Sequence, residues 1–230
     1  MNPFERQFVE KEKNENERHF KNREVVCKDV EGASSVDVHP EGVVFRKGNQ
    51  LLLNGGKVLY EGEFDDWHSS PEGQVVIQKG NQLLLNGKEL LYEGDFDGWE
   101  PHPKGIIVRK GEQLLLNGKD VVGEFSTVWH DWHAHPEGVV IREGNMGTQF
   151  TLNTFNGEKK VLYQGDYIGW GTHPEGVVIH KGNGLLLNGE KALYKGYYEN
   201  PWVSHPQGAI VKEGDEWRIY TGEESRKESN

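Results

Sequence analysis

The sequence lacks several features that would direct it to particular classes of protein. Its 230 residues include one cysteine, Cys27, which cannot form a disulfide within the chain. No run of about eighteen apolar residues occurs, and the N-terminus has no apolar signal segment, so we expect no membrane association. The formal net charge of −11 repels phosphate backbones and argues against a nucleic-acid partner. We therefore expect a soluble, cytoplasmic protein in which Cys27 is a buried apolar residue.

Recognisable catalytic motifs are missing as well. The chain contains no Gly-x-Ser-x-Gly, no Cys-x-x-Cys, no His-Glu-x-x-His and no phosphate-binding loop before a helix. Glycine, by contrast, is abundant at 30 residues. It clusters with Asn and Pro between segments rich in Val, Ile, Leu and Tyr. Tight turns between short apolar segments are typical of an all-β fold.

A repeat organises most of the chain. The tetrapeptide His-Pro-x-Gly recurs with Ser70-Pro-Glu-Gly as a sixth copy; its histidines are His39, His102, His135, His173 and His205. Each copy is followed by a Val/Ile run, a Leu run and an aliphatic segment that often ends in Tyr, separated by hairpin signals such as Lys-Gly-Asn and Asn-Gly-Lys. Each unit is predicted to contain four antiparallel strands, named A to D, with strand A ending at the His-Pro turn.

The apolar runs favour one architecture. Residues 106–108 and 114–116 are apolar at consecutive positions, so both faces of each strand must be covered. A sheet with one solvated face would alternate instead. Small sheets packed face to face around an axis cover both faces and leave only short exposed edges. The sequence therefore predicts a six-bladed β-propeller.

The two ends of the repeat complement each other. The last copy stops after its C strand, whereas residues 23–28 look like a D strand that precedes the first A strand. This offset predicts that the N-terminal strand completes the last blade and closes a monomeric ring. The domain is expected to span residues 24–222. Residues 1–23 form a charged extension, flexible or helical, and residues 223–230 a polar tail.

The repeat resembles known propellers in its turn and in its closure. His-Pro-Glu-Gly is similar to the Ser-Pro-Asp-Gly turn of WD-repeat and TolB-like propellers, and closure by an N-terminal strand is similar too. The resemblance covers residues 24–222 at the level of architecture. Because the Trp-Asp ending and Gly-His opening of WD repeats are missing, it implies the fold and no functional residue.

Three repeated features have both a structural and a functional interpretation. The A-strand tryptophans could stack on sugars or pack between blades. The His-Pro histidines could bind a metal or fix the turn by a hydrogen bond. The acidic residues of the D–A loops could form a glycosidase pair or cap turns; they include Glu63, Asp65, Asp66, Asp95, Asp97 and Asp166.

Two departures from the repeat are candidate functional segments. Residues 126–135 lengthen a D–A loop and add a second tryptophan and two histidines, and His133 and His135 would share a strand face. Residues 145–156 lengthen the B–C hairpin of blade four. Apart from the first segment, we expect no asymmetric acid–base set. The predicted ligand-binding residues are Trp67, Trp99, Trp129, His130, Asp131, Trp132, Trp170 and Trp202.

These observations favour a non-enzymatic binding propeller that presents one end of its ring to a protein partner. A lectin-like carbohydrate binder using the Trp and Asp/Asn positions is the alternative. A hydrolase or metal-dependent enzyme ranks last, and no catalytic residue, metal or cofactor is assigned.

Overall fold

A computed structural model of the chain describes residues 23–70, 72–124, 131–143, 148–196 and 201–222. Within these ranges the chain forms twenty-four β-strands and no helix. Consequently, no helix in the described part is long and apolar enough to span a membrane.

The strands follow one another as short antiparallel hairpins. Their bounds are β1 (Arg23–Lys28), β2 (Ser35–His39), β3 (Gly42–Lys47), β4 (Gln50–Leu53), β5 (Lys57–Glu61), β6 (Asp66–Ser69), β7 (Val75–Lys79), β8 (Gln82–Leu85), β9 (Glu89–Glu93), β10 (Gly98–His102), β11 (Gly105–Lys110), β12 (Gln113–Leu116), β13 (Asp120–Glu124), β14 (Trp132–His135), β15 (Gly138–Glu143), β16 (Gln149–Thr154), β17 (Lys159–Gln164), β18 (Gly169–His173), β19 (Gly176–Lys181), β20 (Gly184–Leu187), β21 (Lys191–Lys195), β22 (Trp202–His205), β23 (Gly208–Glu213) and β24 (Glu216–Tyr220).

These strands form six separate four-stranded sheets, the blades of a propeller. Blades one to five each consist of four consecutive strands, beginning with β2. The sixth has the order β1-β24-β23-β22, so the N-terminal strand is its outer strand. In the antiparallel register of β1 and β24, Glu24 lies opposite Ile219 and Cys27 opposite Trp217. The predicted fold and its closure are confirmed.

The first strand of each blade lines the axis. Strands β2, β6, β10, β14, β18 and β22 each contact the next one around the ring, and β22 contacts β2. They surround a central channel. We call the end with the D–A loops and B–C turns the loop end, and the end with the His-Pro turns the turn end.

The hydrophobic core lies between neighbouring blades rather than within one of them. One cluster joins Val44 and Leu51 of blade one to Trp67, Val75 and Ile77 of blade two. In β3, the three consecutive residues at 43–45 have no accessible surface. Both faces of the strand are therefore covered, which is why the apolar residues are consecutive and do not alternate.

An asparagine in the C–D turn forms hydrogen bonds to the A–B turn of the same blade. Asn54 adopts a left-handed conformation with φ of 50°. Its Oδ1 accepts a hydrogen bond from the Val43 amide at 2.9 Å, and its Nδ2 donates to the Glu41 carbonyl at 3.0 Å. A Cβ on Gly42 would lie 2.1 Å from the Asn54 Oδ1. The close approach of this side chain explains the glycine of His-Pro-x-Gly.

Candidate functional site: the central channel

One position of the inner strand differs sharply among the blades. It is the residue that follows the tryptophan position in strand A. From blade one to blade six this residue is Asp37, His68, Glu100, His133, Gly171 and Val203. Carboxylates and imidazoles thus alternate over four consecutive blades, and the remaining two blades carry no polar side chain there.

The four polar residues form two carboxylate–imidazole pairs across blade boundaries. Asp37 Oδ2 lies 3.3 Å from His68 Nδ1 and accepts a hydrogen bond from the Ser69 amide at 2.8 Å. Glu100 makes the same pattern two blades later. Its Oε1 lies 2.5 Å from His133 Nδ1, and its Oε2 accepts from the Ala134 amide at 2.5 Å. Each carboxylate therefore fixes the orientation of the imidazole in the next blade.

Each imidazole also contacts a tryptophan of the following blade. The His68 and Trp99 rings meet edge to face with centroids 4.9 Å apart, and the His133 and Trp170 centroids are 4.6 Å apart. With a carboxylate on one side and an indole on the other, both rings are held in place. The arrangement is a rigid one, which favours a preorganised site.

The carboxylates favour the charged form of both imidazoles. Burial is the largest influence on His68 and opposes its charged form, but the hydrogen bond and charge of Asp37, with the charge of Glu100, raise its pKa to about 9. At His133 burial also opposes the charge, and Glu100 outweighs it and raises the pKa. The His68 and His133 side chains are 39% and 36% exposed. Because their strands are innermost, this surface faces the channel.

The histidines of the His-Pro turns have a different role. His39 Nδ1 accepts a hydrogen bond from the Glu41 amide at 3.0 Å, which fixes the A–B turn as predicted. Its Nε2 lies 3.0 Å from the Gly73 carbonyl of the next blade, and His102 Nε2 is placed likewise at 2.9 Å from the His135 carbonyl. Burial lowers the pKa of His102 and His135. The His39 and His102 rings thus link the turns of neighbouring blades.

The tryptophans pack between blades. Trp67, Trp99 and Trp132 are 4%, 5% and 8% exposed and belong to the clusters of the core. Trp170 and Trp202 are partly buried and pack against core clusters as well. The packing interpretation is confirmed, and contact of these five residues with a ligand stays a prediction.

The long D–A loop is described only at its end. The predicted residues Trp129 and His130 lie outside the described residues. Asp131 is exposed, its Oδ2 accepts a hydrogen bond from Trp170 Nε1 at 3.2 Å, and it lies 3.9 Å from Arg142 Nη1. No group of three metal-ligating side chains is found in the described ranges.

Two of the acidic residues in the D–A loops act as turn caps. The Asp65 Oδ2 accepts a hydrogen bond from the Gly80 amide at 2.6 Å, and the Asp97 Oδ2 accepts one from Gly111 at 2.7 Å. In blade five the equivalent residue is Ile168. Its backbone amide donates a hydrogen bond to the His180 carbonyl at 2.7 Å, as the amides of Asp65 and Asp97 do within their own blades. An isoleucine cannot cap the turn, and its side chain is 59% exposed.

Cys27 is structural, as the sequence predicted. It is 9% exposed and packs among apolar residues that include Phe45 and Trp217. Burial, and then the charge of Asp29, raise the pKa of its thiol to about 11. The thiol is therefore protonated at neutral pH and a poor nucleophile.

The expectation that no asymmetric acid–base set exists away from residues 126–135 was wrong. Three members of the channel set, at positions 37, 68 and 100, lie outside that segment and about 30 residues apart in sequence. Aligning the six copies reveals the signal, because one column holds four ionisable residues, a glycine and a valine. Only the closed ring brings them together.

Comparison with known proteins adds no narrower assignment. No protein-family model matches the chain, and no curated protein matches its sequence. The chain is thus a six-bladed β-propeller by its architecture, with a general resemblance to other propellers and to no particular family.

Proposed function

We propose that the protein is a non-enzymatic binding propeller that contacts a protein partner through its loop end. The two segments where the sequence departs from its repeat, residues 126–135 and 145–156, follow strands β13 and β15, both of which end at this side of the ring. Loops carried on a rigid scaffold are where binding residues are usually found.

Ile168 is the observation that carries the proposal. Its backbone follows the repeat, because its amide bonds to β19 as the amides of Asp65 and Asp97 bond to their own blades. Its side chain cannot form the capping hydrogen bond and exposes apolar surface to solvent instead. A residue that breaks a local rule without stabilising the fold is expected to serve function.

The surroundings of Ile168 suit a preformed contact surface. Its neighbour Tyr167 accepts a hydrogen bond from Arg142 at 2.8 Å and packs against Phe150 with ring centroids 5.0 Å apart. An exposed aliphatic residue beside an ordered Tyr–Arg pair is a combination found at protein interfaces, where Tyr and Arg are enriched.

A pair of matched substitutions tests this proposal. Ile168→Asp removes the apolar surface and introduces the aspartate that blades two and three carry at this position, so we expect folding to be preserved. Val161→Asp is the control, because Val161 is also β-branched and is 54% exposed on the outer strand β17. Quantitative cross-linking pull-downs from the native source should identify a partner that Ile168→Asp loses and Val161→Asp keeps. Equal capture by both variants would rule out the loop end as the interface.

Carbohydrate binding is the second candidate. The partly buried Trp170 lies beside the exposed carboxylate of Asp131, and an indole next to a carboxylate can stack on a sugar ring and accept its hydroxyl hydrogen bonds. Saturable quenching of tryptophan fluorescence by one sugar in a panel, lost in Trp170→Phe, would support it. Unchanged emission across the panel would remove it.

A further inference from the structure

The repeat itself shows that the fold does not require charge in the channel. Gly171 and Val203 occupy the same strand position as the four ionisable residues, in blades with the same strands and the same turns. Partly buried ion pairs contribute little net stability compared with apolar residues of similar size. Two such pairs in adjacent blades therefore point to a role other than folding.

The pairs leave one hydrogen-bond donor on each imidazole unused. Nδ1 of His68 and Nδ1 of His133 face carboxylates, and no hydrogen bond within the described part of the chain involves either Nε2. We propose that the charged half of the channel binds a small organic carboxylate, with the Nε2–H groups of His68 and His133 donating to its oxygens. Charge-assisted hydrogen bonds of this kind are the usual means of holding carboxylates.

The nearby carboxylates have partners of their own. Asp37 and Glu100 face the Nδ1 atoms of the imidazoles that they orient, and each also accepts a backbone amide. Asp131 is engaged by Trp170 and lies near Arg142, and Asp66 Oδ1 accepts the amide of Trp67 at 2.9 Å.

The pH dependence follows from the groups that face the imidazoles. Asp37, Glu100 and Asp66 favour the charged form of His68. Glu100 and Asp131 favour the charged form of His133, whereas the charge of His68 disfavours it. Because His68 stays charged below pH about 9, its contribution to carboxylate affinity should change little between about pH 6 and 8. It should fall as the pH rises through about 9.

Titration of the ¹⁵N-labelled full chain with acetate tests the site. Inorganic phosphate is the second anionic probe, and methylammonium is the probe of opposite charge. Imidazole NMR should show saturable shifts of the Nε2 signals of His68 and His133 with acetate. His68→Gln and His133→Gln should each weaken acetate binding at least about tenfold, the value of one charge-assisted hydrogen bond.

His180→Gln is the matched control. His180 lies on β19 at the position that Gln78 holds in blade two, so the substitution introduces a residue that this position already accommodates in another blade. It should leave acetate binding unchanged, and so should Ile168→Asp, which separates this site from the proposed interface. Unshifted Nε2 signals, a response to methylammonium alone, or wild-type affinity in His68→Gln would each overturn the proposal. Should a glutamine variant fail to fold, loss of affinity near pH 9 in the unmodified protein decides the question.

Discussion

Asp29 provides a sensitive test of the junction between the two ends of the chain. It follows β1, and its carboxylate accepts hydrogen bonds from Lys212 on β23 and from Trp217 Nε1 on β24, the latter at 3.1 Å. Its amide also donates to the Asp215 carbonyl at 2.7 Å. The hydrogen bond from Lys212 is the largest influence on Asp29 and, opposed by burial, lowers the pKa of its carboxyl.

Replacing Asp29 by Asn should lower the free energy of unfolding by about 1 kcal/mol. Hydrogen bonds to charged groups contribute about 1.5–3 kcal/mol each, but solvent screening reduces this value because the side chains of Asp29 and Lys212 are 32% and 28% exposed. For a domain of this size, the melting temperature should fall by about 2–4 °C. Calorimetry and urea titration measure the difference.

The pH dependence of the Asp29→Asn effect provides a second check. A carboxyl whose pKa is lower in the folded state stabilises the fold above its unfolded pKa, and this contribution is lost as the pH falls through the folded value. The difference between wild type and variant should therefore close below about pH 4. Asp95→Asn is the control, because Asp95 is exposed and its carboxylate forms no hydrogen bond or ion pair in the described part. Equal stability of Asp29→Asn and wild type at pH 7 would refute this account of the junction.

Two further predictions concern the packing between blades and the channel. Gly87 and Gly80 both have positive φ, but a Cβ on Gly87 would lie 2.2 Å from a tyrosine ring of the preceding blade, whereas nothing lies within 4 Å of one on Gly80. In urea unfolding, Gly80→Ala should lower the free energy of unfolding by about 1 kcal/mol, and Gly87→Ala should lower it by about 1–3 kcal/mol more. Equal losses in the two variants would contradict the packing of Gly87 against the tyrosine. In ¹⁵N NMR titration His68 should have a pKa of about 9, and Asp37→Asn should bring it back towards about 6.5; a value near 6.5 in the wild type would contradict the pairing.

The fold could be predicted because its determinants are local and repeated. Asn-Gly pairs such as Asn86-Gly87 specify hairpins through their positive φ values, and the consecutive apolar residues of each B strand require cover on both faces. The chain begins with the D-type strand β1 before the first A strand, and its last copy stops after a C strand. This offset indicated that the two ends share one blade. Six copies of the same pattern reinforce each of these signals.

The channel pairs could not be predicted in the same way. Glu100 and His133 are 33 residues apart, and each is a single polar residue in a short strand. Their contact depends on the distance between neighbouring inner strands, which the sequence does not specify. The exposure of Ile168 could not be predicted either, because only the structure shows that Asp65 and Asp97 cap a turn at the equivalent position of their blades.

A disulfide across the closing strand pair tests the central claim most directly. Val25 lies opposite Arg218 in the register of β1 and β24, and directly opposed strand residues are close enough for a disulfide. In a Val25→Cys/Arg218→Cys variant that also carries Cys27→Ser, mild oxidation of the folded monomer should give a single intrachain bond. The closed ring predicts a monomeric product that migrates faster on a non-reducing gel and melts at a higher temperature. Free thiols after oxidation, or a bond that forms only between two chains, would contradict closure of the ring by its own N-terminal strand.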